Sequence, residues 1–194
     1  MVNLTENEKR ALLIIFKDFS SFYNSNSLSK KLGISRVGTM KMLKKLEKNQ
    51  ILIKELIGKS AIFKINFDND YVLDMIAFLL SDEANKFKRW KDEFKELSGE
   101  NKVVMIYGSV LVNYSKANDI DLMIIGKSNL SVNKVIMEKQ KILPKKIHLI
   151  SISELEFLAS LKKRQKSIVE IARTGIILYG QRKYAGVMKN VKSI

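Results

Sequence analysis

The strongest constraint on how this chain folds is the segment DIDLMIIG, in which two acidic residues flank an isoleucine at the start of an apolar run. Side chains alternate between the faces of a β-strand, so Asp119 and Asp121 would project from one face and Ile120 from the other. Two carboxylates on one face repel each other unless a positive group lies between them. Mg²⁺ meets this requirement, because it prefers oxygen ligands and is commonly held by one or two carboxylates plus substrate phosphates.

A second apolar run, KVVMIYGS, ends in a Gly-Ser pair, and nine residues separate that pair from the first aspartate. Glycine has no Cβ, so the backbone N–H groups of Gly108 and Ser109 are suited to hold a phosphate oxygen. Together with the two carboxylates, the pair predicts a site for a triphosphate and Mg²⁺.

The whole stretch IYGSVLVNYSKANDIDLMI resembles the nucleotidyltransferase signature of the DNA polymerase β superfamily, and most closely that of the minimal nucleotidyltransferases of prokaryotes. The resemblance covers roughly residues 100–182. It implies transfer of a nucleoside monophosphate from a nucleoside triphosphate (NTP) to a hydroxyl, with release of pyrophosphate. Gly108 and Ser109 would then bind the nucleotide, and Asp119 and Asp121 would be the catalytic residues that bind the metal.

One part of the family's pattern is missing, namely a third carboxylate on the following strand that completes the metal site and helps to activate the hydroxyl. The following strand here is KKIHLISIS, which carries His148, the single histidine of the chain. His148 could be a metal ligand, a base or a half-buried strand residue. Glu154 and Glu156 come next, but Ser153 and Glu156 have the spacing of a capping box that opens a helix. The sequence therefore leaves open whether the domain is an enzyme.

The first part of the chain has helical periodicity followed by β-rich runs. Thr5 has the position of a helix N-cap, and a second, short amphipathic segment ends at Gly33. Ser35 is placed to cap a basic helix, and two β-rich runs around Gly58-Lys59-Ser60 predict a hairpin. The apolar side of the basic helix is predicted to consist of Val37, Met40, Leu43 and Leu46.

This order of elements, over roughly residues 4–67, resembles the winged helix-turn-helix domains of archaeal and bacterial transcription regulators. The resemblance implies that the basic helix enters the major groove of duplex DNA and that the hairpin lies over the phosphates. The candidate DNA-binding residues are Arg36, Thr39, Lys41, Lys45 and Lys59. Many winged helices are instead protein-interaction or dimerisation modules, and that alternative stays open.

The predicted fold class is α+β, with a winged helix-turn-helix at residues 1–70, a helical connector at 71–99 and a nucleotidyltransferase-fold mixed sheet with flanking helices at 100–194. Trp90 lies on an apolar stripe of the connector, where we expect it to be packed rather than stacked on a base. Because so apolar a stripe needs a partner, the connector is also a candidate homodimer contact.

The composition narrows the partners. Lysine and arginine number 35 against 20 acidic residues, and the net charge of +15 predicts a polyanionic partner such as DNA, unless the surface is simply lysine-rich. No cysteine is present, and no apolar run is long enough to span a membrane, so we expect a cytoplasmic protein. Two hypotheses result: a DNA-binding nucleotidyltransferase that uses an NTP and Mg²⁺, or a catalytically inactive relative that acts as a transcription regulator or toxin–antitoxin-type partner.

Overall fold

The structure is a computed structural model that describes residues 3–99, 101–126 and 130–192. For Lys192 only the backbone is described. The chain forms two compact units, residues 1–79 and 80–194. This division falls inside the predicted connector, whose boundaries at residues 70 and 99 stay predictions. No helix within the described residues is long and apolar enough to cross a bilayer.

The described residues of the first unit form three helices and a hairpin, followed by the start of a fourth helix. Its elements are α1 (Glu6–Lys17), α2 (Ser25–Leu32), α3 (Arg36–Lys48), β1 (Leu52–Ile57) and β2 (Ser60–Ile65). The predicted capping box is confirmed, since the hydroxyl of Thr5 accepts from the Glu8 N–H and the Thr5 N–H donates to the Glu8 carboxylate at 2.7 Å. Gly33 ends α2 in the left-handed region with φ +71°, and the hydroxyl of Ser35 caps α3 by accepting from the Gly38 N–H.

The buried face of α3 differs from the predicted one. Its buried residues are Thr39, Met42, Leu43 and Leu46, whereas Val37 is 68% exposed. The side-chain hydroxyl of Thr39 donates to the Ser35 carbonyl one turn earlier, which satisfies its polar group and allows the residue to enter the core. The prediction counted Val37 as core because it is apolar, and for that residue the prediction is wrong.

The hairpin pairs β1 and β2 antiparallel, and Ile57 opposite Ser60 leaves Gly58 and Lys59 at the tip, as predicted. Gly58 has φ +58°, a conformation that suits a two-residue turn. An isolated antiparallel bridge joins Tyr23 to Phe63 of the hairpin. Three helices followed by this hairpin form a winged helix-turn-helix.

The second unit is built around a four-stranded mixed sheet of order β5-β4-β3-β6. Its strands are β3 (Lys102–Tyr107), β4 (Asp119–Gly126), β5 (Lys146–Ile152) and β6 (Ile176–Tyr179). The helix α4 (Asp70–Asn85) begins in the first unit. The helices that follow it are α5 (Lys88–Glu93), α6 (Leu130–Ile142), α7 (Glu154–Lys162), α8 (Lys166–Thr174) and α9 (Gln181–Lys192). Strand β3 is antiparallel to both β4 and β6, and β4 is parallel to β5.

Alternation along the strands separates a core face from the face that carries the acidic residues. Ile120, Leu122 and Ile124 of β4 lie in one apolar cluster with Trp90 and residues from β3, α6 and β6. Trp90 is 5% exposed and its ring stacks on Phe94 with centroids 6.1 Å apart, so the prediction of a packed tryptophan is confirmed. The odd-numbered residues of β4, which include both aspartates, project from the opposite face.

Candidate nucleotide and metal site

Two aspartates and the single histidine come together at the start of the two parallel strands. Asp119 is the first residue of β4, and the pairing of β4 with β5 sets Asp121 directly opposite His148. The Nδ1 atom of His148 lies 3.1 Å from Oδ2 of Asp119 and 3.7 Å from Oδ1 of Asp121. The side chain of His148 is 47% exposed, which agrees with a half-buried strand residue, and its position beside both carboxylates leaves the roles of metal ligand and base open.

The site is electronegative. Burial and the neighbouring charge of Asp119 raise the pKa of Asp121, although His148 acts in the opposite direction. Tyr107 pairs with Asp121 across β3 and β4, and burial together with the two carboxylates raises the pKa of its hydroxyl to about 12. A tyrosine hydroxyl is neutral at physiological pH even at its ordinary pKa of about 10, so the negative charge of the site is confined to the aspartates.

Gly108 brings the main chain against one of these carboxylates. It has φ +81° and ψ −161°, a combination that is essentially restricted to glycine. A Cβ atom added here would lie 2.4 Å from Oδ2 of Asp121. The glycine is thus needed both for its conformation and for space. Ser109 follows as an exposed residue and begins the short 3-10 helix Ser109–Leu111.

The donor set fits a divalent cation. Among the described residues, Asp119, Asp121 and His148 form a group whose potential ligand atoms all lie within 4.8 Å of one another. Metal–ligand bonds to carboxylate oxygen or imidazole nitrogen are about 2.0–2.2 Å long, so one ion can bridge donors separated by up to about 4.2 Å. The two separations from Nδ1, 3.1 and 3.7 Å, are within that limit, whereas the 4.8 Å bound on the whole group exceeds it and calls for a small closing movement of the side chains.

Residues that the sequence did not single out fix the loop before Asp119. The guanidinium of Arg89 lies 4.0 Å from the ring centroid of Tyr114 and 4.9 Å from that of Trp90. The ammonium of Lys145 lies 4.9 Å from the Tyr114 ring and donates to the carbonyl of Ala117. Because these contacts join residues far apart in the chain, only the tertiary structure reveals them.

The predicted DNA-binding residues differ in their accessibility. Arg36, Lys41 and Lys59 are exposed, as a DNA contact requires. Lys45 is also exposed, but its ammonium lies 2.8 Å from the buried carboxylate of Glu8. Thr39 is 0% exposed and its hydroxyl is committed to the Ser35 carbonyl, so the prediction that Thr39 contacts DNA is incompatible with the structure.

Comparison with known proteins gives one informative match. Residues 87–174 match the family model described as "Nucleotidyltransferase domain", a stretch slightly shorter than half the chain that includes Gly108, both aspartates and His148. No curated protein matches. The solved structures that match include a single-residue mutant of Lactococcus lactis ZitR (17% identity, TM-score 0.37) and another ZitR mutant in complex with DNA (16% identity, TM-score 0.37).

The similarity to ZitR is partial. It covers 48% of this chain and 64% of the ZitR chain, less than two thirds of that protein. The family match and the mixed sheet together give the fold of the second unit. The chain therefore combines a winged helix-turn-helix with a nucleotidyltransferase-fold domain.

Proposed function

We propose that this chain is a DNA-binding protein whose second unit binds an NTP with a divalent cation and transfers the nucleoside monophosphate to a hydroxyl group. The observation that carries the proposal is the meeting of Asp119, Asp121 and His148 beside the Gly108 backbone, within the segment that matches the nucleotidyltransferase model. The winged helix-turn-helix, with exposed Arg36, Lys41 and Lys59, is the proposed duplex DNA-binding part.

Each residue of the site has a distinct role in this proposal. Gly108 and Ser109 present main-chain N–H groups to the triphosphate. Asp119 and Asp121 hold the cation, for which Mg²⁺ is the family's expected choice. A bound divalent cation would neutralise charge that develops on the attacking and leaving oxygens.

The proposed reaction is a displacement at the α-phosphorus. The acceptor's hydroxyl oxygen forms a bond to that phosphorus, the bond from the phosphorus to the oxygen bridging to the β-phosphate breaks, and pyrophosphate leaves. The hydroxyl proton must pass to a base. In nucleotidyltransferases a third carboxylate helps to activate this hydroxyl. In this chain His148 occupies the neighbourhood of that carboxylate, with its Nδ1 atom 3.1 Å from Asp119.

A labelling experiment tests the enzyme hypothesis. The full chain is incubated with each α-³²P-labelled NTP and a divalent cation, alone and with total cellular RNA, DNA or protein. We expect transfer of label that is lost in Asp119→Asn and Asp121→Asn, which keep the side-chain shape and remove the charge. Glu138→Gln is the matched control, because Glu138 is an exposed carboxylate on α6 outside the site. Label transfer that persists in both aspartate variants would refute the assignment.

The second candidate function is a catalytically inactive nucleotidyltransferase-fold protein, acting as a transcription regulator or toxin–antitoxin-type partner. The specific observation in its favour is the imidazole of His148 where the family has a carboxylate. This candidate predicts binding to duplex DNA with no transfer of label to any acceptor. Fluorescence anisotropy at several salt concentrations measures the DNA binding separately, because each phosphate contact contributes to the salt dependence.

A further inference from the structure

We propose that His148 makes the metal site selective for a first-row transition-metal ion, such as Mn²⁺ or Co²⁺, over Mg²⁺. This inference rests on the proposed function, because it concerns the cation of the same site. It departs from the expectation of Mg²⁺ that the family resemblance provides.

The first step is that the imidazole is held in a ligand position by the sheet itself. Strand β5 pairs with β4 in parallel register over Lys146 to Ile152, and His148 is the partner of Asp121 in that register. Neighbouring Ile147 is 7% exposed and packs in the core cluster, so alternation directs His148 to the opposite face, where the aspartates lie. Its position is therefore set by backbone pairing and core packing.

The second step is that the nitrogen nearer to the carboxylates is shared between them. Nδ1 of His148 lies 3.1 Å from Asp119 and 3.7 Å from Asp121, and the potential ligand atoms of the three side chains lie within 4.8 Å of one another, so side-chain rotation would let one ion contact all three. The absence of a Cβ at Gly108 leaves space for Oδ2 of Asp121, since an added Cβ would lie 2.4 Å from that oxygen. The three donors thus converge on one region rather than on separate ones.

The third step is the chemistry of the donor set. Mg²⁺ is a hard cation that takes oxygen ligands and keeps several waters, so an imidazole in place of a carboxylate weakens its site. Mn²⁺, Co²⁺ and Zn²⁺ accept imidazole nitrogen together with carboxylate oxygen, and the affinity of nitrogen-containing sites rises from Mn²⁺ towards Cu²⁺. Two carboxylates and one imidazole therefore favour the transition-metal ions.

The chain offers an unusually direct test, because His148 is its only histidine. In a tag-free, chelator-treated full chain, pulsed electron paramagnetic resonance of bound Mn²⁺ detects the hyperfine coupling of a directly ligated imidazole nitrogen. We expect that coupling in the wild type, with no NTP added. Bound Mn²⁺ that shows no such coupling would overturn the inference, as would a site that binds no Mn²⁺.

Affinity measurements with matched variants provide the second readout. Titration of free Mn²⁺, with Mg²⁺ as competitor, gives the ratio of the two affinities in the wild type, in His148→Asp and in His148→Gln. His148→Asp restores the family's oxygen ligand, and His148→Gln covers the case in which a third carboxylate prevents folding. We expect the preference for Mn²⁺ to fall by at least about tenfold in either variant. An unchanged ratio in a folded variant would overturn the inference.

The outcome can be separated from that of the proposed function. Nitrogen coupling without transfer of label would leave the metal assignment standing and remove the enzyme. Transfer of label with an Mn²⁺ to Mg²⁺ affinity ratio that His148→Asp does not change would leave the enzyme standing and remove the metal assignment. Asp119→Asn is the control for adventitious surface binding, since it should abolish the coupled Mn²⁺ signal.

Discussion

Gly108→Ala should disable the metal site while leaving the second unit folded. The backbone at Gly108, φ +81° and ψ −161°, lies in a region that costs a residue with a side chain about 1–3 kcal/mol. In addition, the new Cβ would approach Oδ2 of Asp121 to 2.4 Å. Because that oxygen is the end of a side chain, we expect the Asp121 carboxylate to rotate away and the sheet to stay intact.

The matched control is Gly180→Ala at another turn of the same sheet. Gly180 has φ +80°, and its added Cβ would also meet an oxygen at 2.4 Å, but that oxygen is the main-chain carbonyl of Lys102. A backbone atom yields less readily than a side chain, so Gly180→Ala should be the more destabilising of the two changes. It should nevertheless leave the cation affinity of the folded protein unchanged.

Two measurements on each variant decide the matter. Urea unfolding followed by Trp90 fluorescence reports the second unit, because Trp90 is the single tryptophan and lies in that unit's core. Mn²⁺ titration reports the site. We expect Gly108→Ala to lose about 1–3 kcal/mol of unfolding free energy and about 10–100-fold in Mn²⁺ affinity. Affinity within about twofold of the wild type would refute the reasoning, since Asp121 would then tolerate the clash without leaving the site.

Three further predictions concern other parts of the chain. Burial would raise the pKa of Glu8, but hydrogen bonds from Lys45 and Thr5 outweigh it and lower the pKa, so this stabilisation is present above the unfolded pKa and is lost as the pH falls through the folded value. Lys45→Met should therefore reduce the unfolding free energy by about 1.5 kcal/mol at pH 7. The difference from the wild type should shrink as the pH falls through the lowered pKa of Glu8, in urea titrations followed by circular dichroism, and a difference independent of pH would contradict this. Arg36→Ala should weaken duplex DNA binding in anisotropy titrations and reduce the slope of log affinity against log salt concentration by about one. Thr39→Val, at a buried position, should leave both the affinity and the slope unchanged. Equal effects of the two variants would argue against α3 as the DNA contact. At Gly186, inside α9, an added Cβ would meet no heavy atom within 4 Å apart from its chain neighbours and the nearby backbone of its own helix. Gly186→Ala should therefore raise stability by about 0.5–1 kcal/mol in thermal unfolding, and a loss of stability would show that the site is closer packed than the structure indicates.

Local signals in the sequence were sufficient for most of the secondary structure. The capping boxes at Thr5 and Ser153, the N-cap at Ser35 and the hairpin tip at Lys59 depend only on residues a few positions apart, and each is present in the structure. The buried face of α3 was harder to predict from the sequence. Thr39 has a polar side chain, but its hydroxyl donates to the Ser35 carbonyl, so the residue can be buried without an unsatisfied polar group. A pattern based on residue type alone assigns that position to the surface.

The site shows the same division between local and non-local information. The two aspartates on alternate residues of β4 were predictable, because strand alternation is a local property. The approach of His148 to both of them depends on β4 and β5 pairing in parallel with Asp121 opposite His148, after a crossover through α6. No spacing rule fixes that register, so the sequence could propose three roles for His148 without choosing among them.

The exchange of a carboxylate for His148 also changes the charge of the site. Asp119 and Asp121 contribute two negative charges, while the neighbouring Tyr107 hydroxyl is neutral at physiological pH, as a tyrosine is even at its ordinary pKa of about 10. A divalent cation would thus neutralise the pair, whereas three carboxylates would leave one negative charge facing the triphosphate. Compared with a site of three carboxylates, the site with His148 would repel the triphosphate less and would bind Mg²⁺ more weakly. With His148 in place of a carboxylate, the site would bind Mg²⁺ less well by charge and would bind a softer cation through its imidazole nitrogen. The pairing of β4 and β5, which positions all three side chains, is the same in either case.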